Sequence, residues 1–129
     1  MATDFTDWRR WIGLPHQLGA DPRDGKGCCC LKLSQIVLEA AGYEPPRIND
    51  QWYELGQQKR WDDAARLFLE YVVETDPWKQ WSIVPFWSPE MFGIGVVVQD
   101  RMVLTSHHTR GACVIPARAL RSPEFFALR

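Results

Sequence analysis

Residues 25–42, GKGCCCLKLSQIVLEAAG, set three consecutive cysteines between a glycine-containing loop and a run of helical periodicity. From Cys29 onward, Leu33, Ile36, Val37, Ala40 and Ala41 recur at i, i+3, i+4, i+7 and i+8, which gives a helix one apolar face. Gly42 supplies its C-terminal stop. A cysteine in the first turn of such a helix meets unsatisfied N–H groups and the positive end of the helix dipole, and both favour thiolate. A thiol nucleophile still needs a base, usually a histidine, held in place by a third polar group.

Upstream, LPHQLGADPRDGKG (14–27) is dense in Gly, Pro and Asp and reads as a loop, and residues 4–13 read as a short helix. That helix would put Phe5, Trp8, Trp11 and Ile12 on one side, with Thr3 or Asp4 as N-cap. Downstream, Pro45 and Pro46 forbid continuation, and Asn49 or Asp50 can cap a short helix through Leu55. A further helix starts near Trp61 or Asp62, with Trp61, Ala64, Ala65, Phe68 and Val72 on one face, and stops before Pro77. The period then changes. WSIVPFW, GIGVVV, RMVLTS and ACVIP are short β-rich runs separated by turn residues, which predicts an antiparallel meander. Helices followed by strands define an α+β domain. The closing SPEFFALR is aromatic enough to dock on the rest of the domain.

At 129 residues the chain is the size of one domain, 1–129, able to bury its own core. A net charge of −1 offers no global attraction to nucleic acid, and the pairs Arg9 with Arg10 and Lys59 with Arg60 read as solvated faces. No nucleic-acid partner is expected. The opening MATDFTDWRRW lacks the apolar centre of a signal peptide, and no later stretch reaches the ~20 apolar residues of a membrane span. Synthesis in a cytoplasm follows as the expectation.

Adjacent cysteines are poorly placed to bridge one another and only Cys113 is distant, so no disulfide framework is expected. Without a C-x₂₋₄-C pair, neither a structural zinc site nor a thioredoxin-like redox motif is expected, and no cofactor is implied. Cys28, Cys30 and Cys113 read as small core residues. Seven tryptophans serve either as core and rim or as anchors of a protein interface.

The order helix, G/P-containing loop, cysteine-headed amphipathic helix and β meander resembles the NlpC-type papain-like cysteine peptidases, in the branch attached to phage tail modules. WIGLPHQLGADPRDGKGCCCLKLSQIVLEAAGYEPP carries the loop and nucleophile helix, and WSIVPFWSPEMFGIGVVVQDRMVLTSHHTRGACVIPARAL the strands that follow. The resemblance implies a papain-like fold, with N-terminal helices packed on a small antiparallel β meander and residues 47–76 as a helical insertion. It puts the nucleophile at Cys29, Cys28 where an aspartate usually stands, and Leu31 in place of a glycine. His16 occupies the place of a tyrosine lining the site. The base, a histidine opening a strand, aligns with Gly93, and the orienting polar residue aligns with Thr105. The remaining candidate bases are His16, His107 and His108, of which strand alternation lets only one of the last two point inward.

Two functions follow from the resemblance. One is a catalytically degenerate domain serving as a structural or assembly component of a phage tail, near its tip. Its partners would be other tail proteins, its location the virion, and its anchors Trp52, Trp61, Trp78 and Trp87. The other is an active cysteine hydrolase that cuts the peptide stems of peptidoglycan, with Cys29 as nucleophile and one of the three histidines as base.

Overall fold

The computed structural model describes residues 5–17, 20–45, 50–88 and 91–129. Three α-helices, α1 (Cys30–Ala40), α2 (Asp50–Gln57) and α3 (Trp61–Leu69), precede a sheet of six strands: β1 (Val72–Glu74), β2 (Ile83–Ser88), β3 (Met91–Gln99), β4 (Met102–His107), β5 (Gly111–Pro116) and β6 (Phe126–Leu128). The strand order is β1-β6-β2-β3-β4-β5, and every pairing is antiparallel. The chain is an α+β domain.

The meander β2–β5 forms where alternating β-branched residues allow it to pack on both faces. Ile94, Val96, Val98 and Leu104 point to one side, where Leu33, Val37 and Leu38 of α1, Trp52 of α2 and Phe68 of α3 complete the main core. Val84, Val97 and Val103 point to the other, under Phe125, Trp78, Phe86 and Leu120. Gly95 lies at the crossing of the two innermost strand pairs. A Cβ there would come within 2.5 Å of Val103 Cγ1 and 2.8 Å of the Leu104 carbonyl, so the close approach of β3 and β4 depends on a missing side chain.

Helix α1 lies across β3 and β4, and α3 crosses β1, β2 and β3. The first helix proves to be a 3₁₀ segment, Phe5–Trp11, with Trp8 buried and Ile12 exposed. The caps proposed at Thr3, Asp4 and Asn49 lie outside the described residues. Helix α2 extends two residues beyond Leu55, to Gln57. Helix α3 ends at Leu69, so Val72, expected on its apolar face, instead opens β1 and is buried there. The segment 47–76 is therefore more than a helical excursion. Its end supplies an edge strand, which pairs Val72 with Leu128 and Glu74 with Phe126. The C-terminal FFALR segment sits inside the sheet, with β6 between β1 and β2.

Candidate functional site

The head of α1 is held by a strap, residues 13–17, that runs between the sheet edge and the cysteines. Gly13 N–H donates to the Ala112 carbonyl at 2.9 Å, and Ala112 N–H to the Leu14 carbonyl at 2.8 Å. Cys28 N–H then donates to the Pro15 carbonyl at 3.0 Å, and Gln17 N–H to the Cys28 carbonyl at 2.8 Å, forming a short parallel bridge at His16 and Cys28. Gly111 makes this possible. Its φ is +71°, and a Cβ there would collide with the Leu14 carbonyl.

This strap delivers the His16 ring to β4. His16 Nδ1 lies 2.8 Å from Ser106 Oγ, Ser106 Oγ–H donates to the Cys28 carbonyl at 3.2 Å, and Cys28 Sγ–H donates to Ser106 Oγ at 3.6 Å. A hydroxyl has one proton and two lone pairs, so all three contacts close at once when His16 carries its proton on Nδ1 and donates it to Ser106. Burial holds His16 below its ordinary value of 6.5, reinforced by His108 and His107. Burial also pushes the Cys28 thiol up, against the lowering effect of its Ser106 contact, and the residue has no exposed surface. The cluster is arranged to keep its members neutral.

Cys29 is placed differently. It is the N-cap of α1, with extended backbone (φ −123°, ψ 162°) and no side-chain cap hydrogen bond. Its side chain is 1% exposed, and its hydrogen-bond contact among the described residues is with Tyr53 Oη of α2 at 3.8 Å. Burial, and then the neighbouring Cys29, raise the Tyr53 phenol well above its ordinary value. Cys30, the first residue of α1, is pushed up to about 11 by burial and sits beside the backbone of Ile94. Among the described residues no imidazole hydrogen-bonds to Cys29.

The strand register explains why. Gly93 pairs with Phe86, which packs in the cluster on the far side of the sheet from α1. A side chain at 93 would share that face, and Ile94 is the β3 residue that meets the helix. Thr105 likewise follows Val103 on the far face and donates its hydroxyl to the Ile94 carbonyl at 2.8 Å. Both positions assigned to the base and its orienting partner thus point away from Cys29, and the polar residue of β4 that faces α1 is Ser106. Among the described residues neither His107 nor His108 hydrogen-bonds to Cys29. Their rings stack on each other, centroids 4.4 Å apart, and His107 Nδ1 accepts from Thr109 N–H at 3.1 Å and Arg110 N–H at 3.4 Å.

Of the four tryptophans named as anchors, Trp52 is buried in the main core and stacks at 5.8 Å on Tyr71, so it is withdrawn as a surface anchor. Trp61 is half-buried at the start of α3. Trp78, also half-buried, packs edge-on to Phe125 at 4.8 Å, with a left-handed φ of 58° that is costly for an aromatic residue. Trp87 lies on β2 opposite Phe92, and its side chain is outside the described residues. Among the described residues no group of three or more His, Cys, Asp or Glu is placed to hold a metal ion, and no helix is long and apolar enough to cross a membrane.

Fold and site together define an α+β domain in which a thiol–hydroxyl–imidazole cluster and a second, separately sealed thiol flank one helix start. Compared with known protein families the chain matches no family model, and comparison with curated proteins finds no match.

Proposed function

We propose that the chain is a catalytically silent domain of the papain-like, NlpC type, acting as a structural or assembly component of a phage tail. A cysteine-headed helix laid across an antiparallel sheet, with the strands following it in sequence, supports the papain-like reading. The phage-tail assignment rests on the likeness of the loop, nucleophile helix and strand segments to the tail-module branch. The observation that carries catalytic silence is the burial of Cys29 beneath Tyr53, without an imidazole partner. A thiol so placed lacks the general acid–base assistance that contributes about 10²–10⁴-fold to a hydrolase. His16, the nearest candidate in sequence, is engaged with Ser106 instead. Such a domain acts through the surfaces it presents, with half-buried Trp61 inside the insertion and half-buried Trp78 just beyond its exit as anchor candidates, beside Trp87.

The test is Cys29→Ser in the intact particle. Assembly and infectivity equal to the parent support the structural role. Normal assembly with lost infectivity would return the protein to the cell-wall hydrolases.

A further inference from the structure

The charges of this chain nearly cancel, but they are sorted to opposite edges of the sheet. Residues 50–76, which build α2, α3 and β1, hold seven carboxylates and three cations, and two of those cations, Arg60 and Arg66, are paired with Asp63. Residues 99–121, around β4 and β5, hold four arginines and one carboxylate, Asp100. Strands β1 and β5 are the two outermost of the sheet. At the β1 edge the Tyr71 carbonyl accepts from Arg129 N–H at 3.0 Å, and Thr75 N–H donates to the Phe125 carbonyl at 2.9 Å. Alternation then turns the N–H and C=O groups of Val72 and Glu74 outward, and among the described residues those groups have no partner. Leu69, Tyr71 and Val73, in and just before this strand, are three of the five exposed large apolar residues among those described. Glu70, Glu74 and Asp76 punctuate the same stretch, exposed and without a salt bridge among the described residues. An open strand carrying exposed apolar side chains is an edge that another chain can cover.

The β5 side is built differently. The strap occupies Ala112, and exposed Ile12 stands next to the Gly13 N–H that makes that bond. Arg110 precedes β5 in the turn, Arg118 follows its end, and Arg101 is tied to that end because its carbonyl accepts from Ala117 N–H at 2.9 Å. Arg9 reaches the same corner through Gln99 at 2.6 Å. These arginines are exposed and in no salt bridge among the described residues. Glu70 and Asp76 thus bracket β1 as Arg110 and Arg118 bracket β5.

We propose that the domain associates head to tail with copies of itself, the acidic, apolar β1 edge of one copy seated against the arginine-bearing β5 side of the next. Pairing of two β1 edges would set Glu70, Glu74 and Asp76 against their own copies, and pairing of two β5 sides would do the same to the arginines. The mixed contact matches opposite charges instead. It also covers exposed apolar residues on both sides, Leu69, Tyr71 and Val73 on one and Ile12 on the other. A contact between two different surfaces leaves one of each free, so copies add into a ring or a filament rather than stopping at a symmetric pair. The association is independent of Cys29 and of the function proposed above.

Sedimentation velocity on the full chain tests it, over a range of protein concentration and at about 0.1 M and about 1 M salt, where the screening length shrinks from about 10 Å to about 3 Å. The expected result is concentration-dependent growth beyond the dimer at the lower salt, lost or much reduced at the higher. Two variants reverse one side each: Glu70→Lys with Glu74→Lys, and Arg110→Glu with Arg118→Glu. Each alone should sediment as a monomer, because both of its edges then carry the same sign. Mixed in equal amounts they should associate again, since each supplies the charge the other lacks, and that recovery also shows both to be folded. A parent that is monomeric throughout overturns the proposal. So does assembly indifferent to salt, assembly that persists in either variant alone, arrest at a dimer, or a mixture that stays monomeric.

Discussion

Cys28 and Cys29 are adjacent in sequence, both fully buried, and yet belong to different parts of the molecule. Cys28 looks toward the sheet, where Ser106 and the strap bind it into a hydrogen-bonded corner; Cys29 looks toward α2, where it meets Tyr53 Oη. The turn between them is the step from extended chain into helix at the N-cap. One residue of register thus separates a thiol wired to an imidazole from a thiol that has none. Cys29 at the helix cap has no imidazole partner among the described residues, and Cys28, joined to His16 through Ser106, sits in the extended residue before that cap.

The two sides should respond separately to substitution. Gly111→Ala strikes the Cys28 side hardest, because it forces a side chain into the Leu14 carbonyl from a left-handed backbone. A loss of about 2–4 kcal/mol is expected in chemical denaturation, together with exchange at the Cys28 and Ala112 amides. Ser106→Ala removes the hub and strands His16 Nδ1–H and the Cys28 thiol, while Gln17 still serves the Cys28 carbonyl. The expected cost is about 1–3 kcal/mol by the same measurement, with Cys29 as protected as before. If Cys29 becomes reactive in Ser106→Ala, the two sides are one unit and the comparison fails. Ser34→Ala makes the smallest change. Ser34 is 3% exposed, its hydroxyl has no hydrogen-bond partner among the described residues, and it lines an apolar cavity of about 40 Å³ between α1, Trp52 and Phe68. Its removal should leave stability within about 0.5 kcal/mol of the parent or slightly raise it, and a loss above about 1 kcal/mol would show that the hydroxyl is satisfied.

How much of this was legible in the residues depended on which faces were buried. Helix α1 was read to within a residue because its apolar stripe repeats every three to four positions and Gly42, at φ +96°, closes it. The strands were located but not oriented. In GIGVVV and RMVLTS both alternate sets are apolar or small, because the sheet packs on both faces, so nothing in the sequence distinguishes Ile94 from Gly93 or Ser106 from Thr105 as the residue facing the helix. Thr105, the position implied by the resemblance, faces away from α1, and the polar residue of β4 on the helix side is Ser106. Tyr53 left no signal either, since its role depends on the return of α2 over the head of α1. Val72 continued the helical spacing of α3 and became a strand through its pairing with Leu128, a contact 56 residues away in the chain that no local pattern encodes.

The central claim is that Cys29 is sealed by Tyr53 and served by no histidine. The most direct test is the rate of Cys29 alkylation, followed by peptide mass spectrometry, in the native parent, in Tyr53→Ala, and in single alanine variants of His16, His107 and His108. The account predicts slow labelling in the parent relative to the unfolded chain, a rise in Tyr53→Ala, and no change in any histidine variant. Rapid labelling of the native parent that drops when one histidine is removed would reveal a working thiol–imidazole pair and contradict it.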